Sequence, residues 1–352
     1  MSVFWNDRIR NTTPYTAGEQ PKSTERLIKI NTNENPYPPS EKVFEAISSV
    51  RNLQLYPDPN ATEAVEAFAR VYNLRPQQVF AANGSDEILA FCFLAFWDET
   101  RPVNFPDISY SFYPVYSEFF KVRYNRIPMM DKLYVDVDAL CAAPGGIIIA
   151  NPNAPTSVNL QVSDIRRILE AHPNDVVVVD EAYADFADEN AMSLLSEYKN
   201  LIVTRTMSKA YSLAGVRVGF AAASEELIDG INRAKNSVNS YTMDSIAIKA
   251  AAAALLDTHY FNESINRIKT TRDRTASQLR ELGFVLPDSA ANFLYVTHPD
   301  MAAEKIFGAL RGKNIIARYF PAPKTAEYLR ISIGTEEEME IVVSALREIL
   351  NR

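Results

Sequence analysis

Val176-Val177-Val178-Val179-Asp180-Glu181-Ala182-Tyr183 is a run of β-branched residues closed by a carboxylate and a turn. A strand with one wet face alternates apolar and polar residues. An unbroken apolar run instead reads as a strand buried on both sides, the habit of parallel sheets covered by helices. Comparable runs recur at residues 79–81, 102–105, 122–127, 147–150, 201–204 and 218–222. Helical stretches separate some of them, among them the strongly apolar 88–97 and the stretch 163–171. This alternation predicts an α/β fold whose large domain is a mostly parallel sheet covered by helices.

The rhythm changes beyond about residue 235. Residues 245–256 form an alanine-rich helical pattern, and 259–282 a long amphipathic one stopped by Gly283. Strand patterns at 292–296, 315–318 and 328–333 and a helix at 301–311 follow. Thr335 with Glu338 forms a capping box for the last helix. At the other end, Pro14-Tyr15, Gly18, Pro21 and Asn35-Pro36 are turn chemistry. Residues 40–50 have helical spacing, with Val43, Phe44, Ile47 and Val50 on one face. Asn60 with Glu63 resembles a capping box for a helix through Tyr72. The expected organisation is an extended arm (1–36) packing with the small domain or a partner subunit, a large domain (37–235) and a smaller α+β domain (236–352).

The chain has 352 residues, 47% of them hydrophobic, enough for a sizeable core. Its formal net charge of -8 argues against a nucleic-acid or anionic-membrane surface. The two cysteines, Cys92 and Cys141, sit in no metal-like or CxxC spacing, which fits a reduced cytoplasmic setting. Residues 1–10 are polar and of mixed charge, unlike a signal peptide, and no apolar stretch is long enough to span a bilayer. The three histidines show no ligand spacing, and no metal is assigned.

The chemistry centres on Thr206-Met207-Ser208-Lys209-Ala210-Tyr211-Ser212, followed by Gly215-Val216-Arg217-Val218-Gly219. A lone lysine is ordinarily a solvated surface charge. Lys209 instead follows an apolar strand, and ligands in open α/β sheets sit at the carboxyl ends of strands. Its amine can form a Schiff base, and desolvation with neighbouring cations lowers its pKa. Asp180 closes a strand, where a cap or surface turn competes with a carboxylate held against a pyridine nitrogen. Tyr183 lies three residues on, near enough for a phenolic oxygen. Gly84-Ser85-Asp86 opens a helix after a strand, an ordinary cap or an anion site. Ser208 and Arg217 suit the same anion. Together these groups match pyridoxal phosphate, a cofactor that carries the chemistry while the protein supplies attachment and electronics. Within Tyr110-Ser111-Phe112-Tyr113-Pro114-Val115-Tyr116 one ring stacks on the cofactor, and position alone does not choose which. Arg330, inside an alternating strand, meets either a substrate carboxylate or an internal ion pair.

In this order and spacing the motifs resemble the class I/II aminotransferases of fold-type I, and among them the histidinol-phosphate aminotransferase group. The resemblance runs from about Pro14 to the C-terminus. It rests on Pro14-Tyr15, Asn33-Glu34-Asn35-Pro36, Tyr56-Pro57-Asp58-Pro59, Asn83-Gly84-Ser85-Asp86-Glu87, Asn151-Pro152-Asn153-Ala154-Pro155-Thr156, Asp180-Glu181-Ala182-Tyr183, Ser208-Lys209, Arg217, Asn292-Phe293 and Leu329-Arg330-Ile331. It implies that Lys209 bears the cofactor, Asp180 pairs with the ring nitrogen and Tyr183 with the phenolic oxygen. It also implies that Tyr110 stacks on the ring. Gly84, Ser85, Ser208 and Arg217 bind the phosphate, with Asp86 and Thr206 nearby and Tyr56 reaching in from the second subunit of a homodimer. Arg330 and Arg318 hold the substrate's anionic groups, and Tyr15 and Asn35 lie on the substrate side. The family's asparagine before the proline is Ala154 here, so Asn153 is the substitute expected to reach the phenolic oxygen. Ser157 stands for the family's glycine, a sign that this turn need not adopt positive φ.

The resemblance implies transamination of L-histidinol phosphate with 2-oxoglutarate, giving imidazole acetol phosphate and glutamate. Rival readings are a threonine-phosphate decarboxylase, an aromatic amino-acid aminotransferase, and a regulator that binds the cofactor. The last needs a DNA-binding domain and a basic patch, and the sequence offers neither.

Overall fold

The structure is a computed structural model that describes residues 3–21 and 27–351. Residues 1–2 and 22–26, part of the predicted arm, lie outside the described residues. The rest of the arm carries a short helix, α1 (Asp7–Asn11), and a two-residue strand, β1 (Ile28–Lys29). Two helices follow, α2 (Glu41–Ser48) and α3 (Thr62–Val71). In α2, Val43 is buried but Phe44 is exposed, so the predicted apolar face is covered only in part. The capping box expected from Asn60 and Glu63 is not formed. The chain turns at Ala61 (φ 49°), and Asp58 accepts from the N–H groups of Asn60 at 3.0 Å and Thr62 at 2.7 Å. A carboxylate already in the turn reaches these orphan donors first.

The sheet then builds up as β2 (Val79–Ala82), α4 (Ser85–Phe96), β3 (Val103–Pro106), α5 (Phe112–Phe120), β4 (Tyr124–Ile127), α6 (Val137–Ala142) and β5 (Gly146–Ala150). It continues as α7 (Val162–Ala171), β6 (Val177–Asp180), β7 (Leu201–Thr206), β8 (Gly219–Ala223) and α8 (Glu225–Val238). Its order is β2-β8-β7-β6-β5-β3-β4. The ladder from β7 to β4 is parallel, while β8 runs antiparallel to β7 and β2. The valine run behaves as its lack of alternation implies. Val177 and Val179 enter the core under α2, α3, α7 and α9, and Val178 enters the opposite core under α4 and α8. Burying each such side chain contributes ~1.5–3 kcal/mol.

α5, α6 and α8 were not expected. α8 has only Ile228 and Ile231 as buried apolar residues and carries Gly230, which blurs its period. α5 is an aromatic run whose Pro114 sits in the first turn, where its missing N–H costs nothing.

The C-terminal part comprises α9 (Ser245–Leu256), α10 (Thr258–Glu281), β9 (Phe293–Val296), α11 (Ala303–Arg311), β10 (Ile315–Ile316), β11 (Arg318–Tyr319), β12 (Leu329–Ser332) and α12 (Glu336–Leu350). The single strand predicted at 315–318 is two. β10 pairs with β1 of the arm, and β11 pairs with β12 in a sheet of order β11-β12-β9. α9 packs on α2 and α3, its alanines sharing the core beneath the large sheet. α12 opens on the predicted box: Thr335 N–H donates to Glu338 Oε2 at 2.7 Å, and Glu338 N–H to Thr335 Oγ1 at 3.2 Å.

Candidate active site

A cavity of about 330 Å³ opens at the carboxyl ends of β6 and β7, facing β11 and β12. Asp180, the last residue of β6, is buried at its floor. Its carboxylate accepts from the hydroxyls of Tyr113 and Thr204, each at 3.1 Å. Burial pushes its pKa up to about 6, against the pull of those two donors. The turn after β6 is clamped from behind. Arg205 Nη2 lies 2.8 Å from Glu181 Oε2 as an ion pair, and Nη1 donates to Asp185 Oδ1 at 2.6 Å. All three side chains are buried, and removing one partner of such a pair costs about 3–5 kcal/mol. The clamp thereby fixes the segment bearing Asp180 and Tyr183.

Lys209 follows β7, and its Nζ donates to the Thr32 carbonyl at 2.8 Å. Burial, and then the Arg330 charge, push its pKa down to about 8. A neutral amine is the nucleophile, so the fraction able to attack an aldehyde rises with pH through that value. The rate at which cofactor-free enzyme takes up pyridoxal phosphate should therefore climb with pH and level off above about 8. Stopped-flow absorbance measures this, and a rate that is flat between pH 7 and 9 would contradict the assignment.

The opposite wall is an anion cradle. α4 begins at Ser85 with no side-chain cap, so its first N–H groups face the cavity with the positive end of the helix dipole. Gly84 adopts φ 83°, and a Cβ there would lie 2.6 Å from Arg217 Nη2. Arg217 Nη1 donates to Ser208 Oγ at 3.1 Å, and Nη2 sits 3.4 Å from Asp86. Thr206 also lines this wall. Tyr110 donates to Asp86 at 2.7 Å and presents its ring to the cavity. Tyr15 of the arm stacks on Phe112 at 4.3 Å and also lines the cavity. Pyridoxal phosphate fits these residues. The uncapped helix and Arg217 suit its phosphate, Lys209 its aldehyde, Asp180 its ring nitrogen and Tyr183 its phenolic oxygen.

The wall formed by β11 and β12 carries two arginines. Arg318 on β11 and Arg330 on β12 are direct cross-strand partners, and their guanidinium carbons lie 5.1 and 5.4 Å from the Phe320 ring centre. Like charges placed opposite each other destabilise a sheet. Arg330 Nη2 donates to the Asn31 carbonyl at 2.8 Å, yet its Nε is buried without a hydrogen-bond partner among the described residues. Burial, and then Arg318, pull its pKa down. An anion between the two arginines resolves both costs.

Several expected residues lie elsewhere. Asn153 does not line the cavity, because its amide is taken up by the segment after β3 and by its own loop: it accepts from Ser109 at 3.0 Å and donates to the Ile108 carbonyl and Thr156. Asn35 is likewise turned away, donating to the Ala210 carbonyl at 3.0 Å and to Ser264 at 3.3 Å. Ser157 does adopt positive φ, 66°, contrary to the inference from its replacement of glycine. Tyr56 is 82% exposed, stacked on Tyr241 and away from this chain's cavity. Sequence reasoning missed Asn33, Tyr113, Thr204 and Phe320. Asn33 and Tyr113 sat inside motifs already singled out, but a one-dimensional motif does not tell which side chain faces inward.

A model of the aminotransferase class I and II family matches residues 25–346. The chain belongs to the class I and II aminotransferases. The histidinol-phosphate aminotransferase of Clostridium acetobutylicum is 45% identical to it over 352 residues, covering 99% of this chain and 100% of that one. The enzyme of the same name from Acinetobacter baumannii is 47% identical over 350 residues, covering 98% and 97%. Among solved structures, histidinol-phosphate aminotransferase from Sinorhizobium meliloti in complex with pyridoxal-5'-phosphate superposes with a TM-score of 0.89. At 24% identity, over 100% of this chain and 98% of that one, it establishes the fold-type I architecture. The aminotransferase is thus a transferase that uses pyridoxal phosphate.

Proposed function

We propose that this aminotransferase moves the amino group of L-histidinol phosphate to 2-oxoglutarate, giving imidazole acetol phosphate and glutamate in histidine biosynthesis. The observation that carries the reading is the opposed pair Arg318 and Arg330, with the buried Arg330 Nε unpartnered among the described residues. Histidinol phosphate brings a phosphate and no carboxylate. Glutamate and 2-oxoglutarate bring carboxylates. A two-arginine wall serves both, since each anion type takes the bidentate fork.

Bound pyridoxal phosphate supplies the electron sink that acidifies the substrate's Cα–H. The chain's residues do the rest. Lys209 Nζ, neutral once released, takes that proton and returns it as an acid. Asp180 holds a proton at the ring nitrogen, and Tyr183 faces the phenolic oxygen. Gly84, Ser85, Ser208 and Arg217 hold the phosphate, while Tyr15 and Tyr110 cover the site and exclude water. In this reading the arm (1–36), large part (37–235) and small part (236–352) meet around the cavity. Tyr56, exposed beside Leu53 and Leu55, reaches the phosphate site of a second copy, so the working form is a homodimer. The unpaired Cys92 and Cys141 and the biosynthetic role support a cytoplasmic setting.

A half-reaction with a panel of amino donors, followed by bleaching of the bound cofactor, tests the substrate. Histidinol phosphate should react with the highest kcat/KM. Faster reaction of phenylalanine, or release of CO₂ from threonine phosphate, would overturn it. Arg318→Leu should raise the KM for histidinol phosphate about 10- to 100-fold, the loss of a charged hydrogen bond. An unchanged KM would remove Arg318 from the phosphate site.

A further inference from the structure

Asn33 sits in the buried core of the site in a left-handed conformation, φ 56°. Four hydrogen bonds fix it. Its N–H donates to Ser332 Oγ at 2.9 Å, and Ser332 Oγ donates back to Asn33 Oδ1 at 2.8 Å. Asn292 Nδ2 donates to the Asn33 carbonyl at 3.0 Å. Asn33 Nδ2 donates to the Tyr183 hydroxyl at 2.9 Å. The arrangement is self-consistent with the nitrogen toward the tyrosine: Ser332 Oγ accepts the Asn33 N–H and donates its one proton to Oδ1, which leaves Nδ2 for Tyr183.

A donor on that side has a consequence for Tyr183. Its oxygen accepts from Asn33, so its own proton cannot point there. Among the described residues the hydroxyl donates to no protein group, and Tyr183 lines the cavity. The proton is therefore aimed at whatever occupies the cavity. Among the described residues no other side-chain amide bonds the Tyr183 hydroxyl: Ala154 lines the cavity without a side-chain donor, and the Asn153 amide is taken by Ile108, Ser109 and Thr156.

We propose that Asn33 is a positioning residue, locked by Ser332, that fixes the Tyr183 hydroxyl proton toward the cofactor's phenolic oxygen. The inference rests on the placement of Tyr183 at that oxygen given under Proposed function. A hydrogen bond donated to the anionic oxygen favours its deprotonated form, so it lowers the pH at which the bound cofactor changes colour. Losing the aim of that proton raises the midpoint.

The test is a spectrophotometric pH titration of the holoenzyme. Tyr183→Phe should raise the midpoint by about 1 pH unit. Asn33→Gly tolerates the left-handed backbone and removes the amide, and Ser332→Ala frees the amide to flip. Each should raise the midpoint by at least about 0.5 pH unit, and neither should move it further in the Tyr183→Phe background. Ser332→Ala keeps the test alive if Asn33→Gly melts too low to titrate. Equal shifts with and without the Tyr183 hydroxyl would mean a merely structural role and overturn the inference. So would unmoved midpoints in both variants while Tyr183→Phe shifts. An unmoved midpoint in Tyr183→Phe itself would remove the placement of Tyr183, and the inference with it.

Discussion

Lys209→Ala is expected to lower kcat by about 10⁴-fold or more, the upper range for loss of a general acid–base. In the proposed reaction it removes two functions at once, since there the same Nζ attaches the cofactor and carries the Cα proton. Folding should be spared. The amine makes one hydrogen bond, to the Thr32 carbonyl, and it lines a cavity that water refills. Deleting a buried amine whose pKa is depressed by desolvation also removes a cost of folding. The variant should therefore melt at or above the parent's temperature without cofactor while losing turnover. Turnover within tenfold of the parent would exclude Lys209 from the chemistry.

Asp180→Asn should lower kcat by about 10²–10³-fold, the scale of losing one preorganised electrostatic partner in a dry site. The amide keeps the volume and loses the charge that, in the proposed function, holds a proton on the ring nitrogen. It also offers one acceptor oxygen where the carboxylate offers two. Tyr113 and Thr204 both donate to Asp180, so one hydroxyl will face an N–H₂ group. That mismatch should cost about 1–3 kcal/mol of stability. KM for histidinol phosphate should change little, because Arg318 and Arg330 are untouched. Paired steady-state kinetics and thermal melts separate the two effects. A fall in kcat of less than tenfold would mean that Asp180 does not set the cofactor's electronics.

Much of the fold was legible because burial on both faces leaves an unambiguous trace. The valine run before Asp180 and the runs beside it became β5, β6, β7 and β8, with ends moved by one or two residues. What failed was short-range or weakly patterned. The polar, glycine-bearing α8 has too few apolar residues to show a period. The cap of α3 depends on a turn at Ala61, which Asn60 and Glu63 alone do not reveal. The kink that divides β10 from β11 sends two adjacent dipeptides into different sheets, a choice made by partners far along the chain.

The site divided in the same way. Lys209, Asp180, Arg217 and Arg330 were readable because each is an unusual residue type at a strand end or in a strand. The network behind them was not. Asn33 reaches Tyr183 across 150 positions, and Tyr113 reaches Asp180 across 67. Asn153 and Asn35 show the converse error, since both lie in the right motifs with their amides turned to neighbouring backbone. Hydrogen-bonding capacity that is already used is invisible until the loop is folded.

The proposed chemistry depends on a covalent bond between the cofactor's aldehyde carbon and Lys209 Nζ. Borohydride reduction of the yellow enzyme, followed by peptide mapping, fixes that bond where it lies. The predicted result is one modified peptide, carrying the reduced cofactor on Lys209. Modification of a different lysine, or of none, would contradict it.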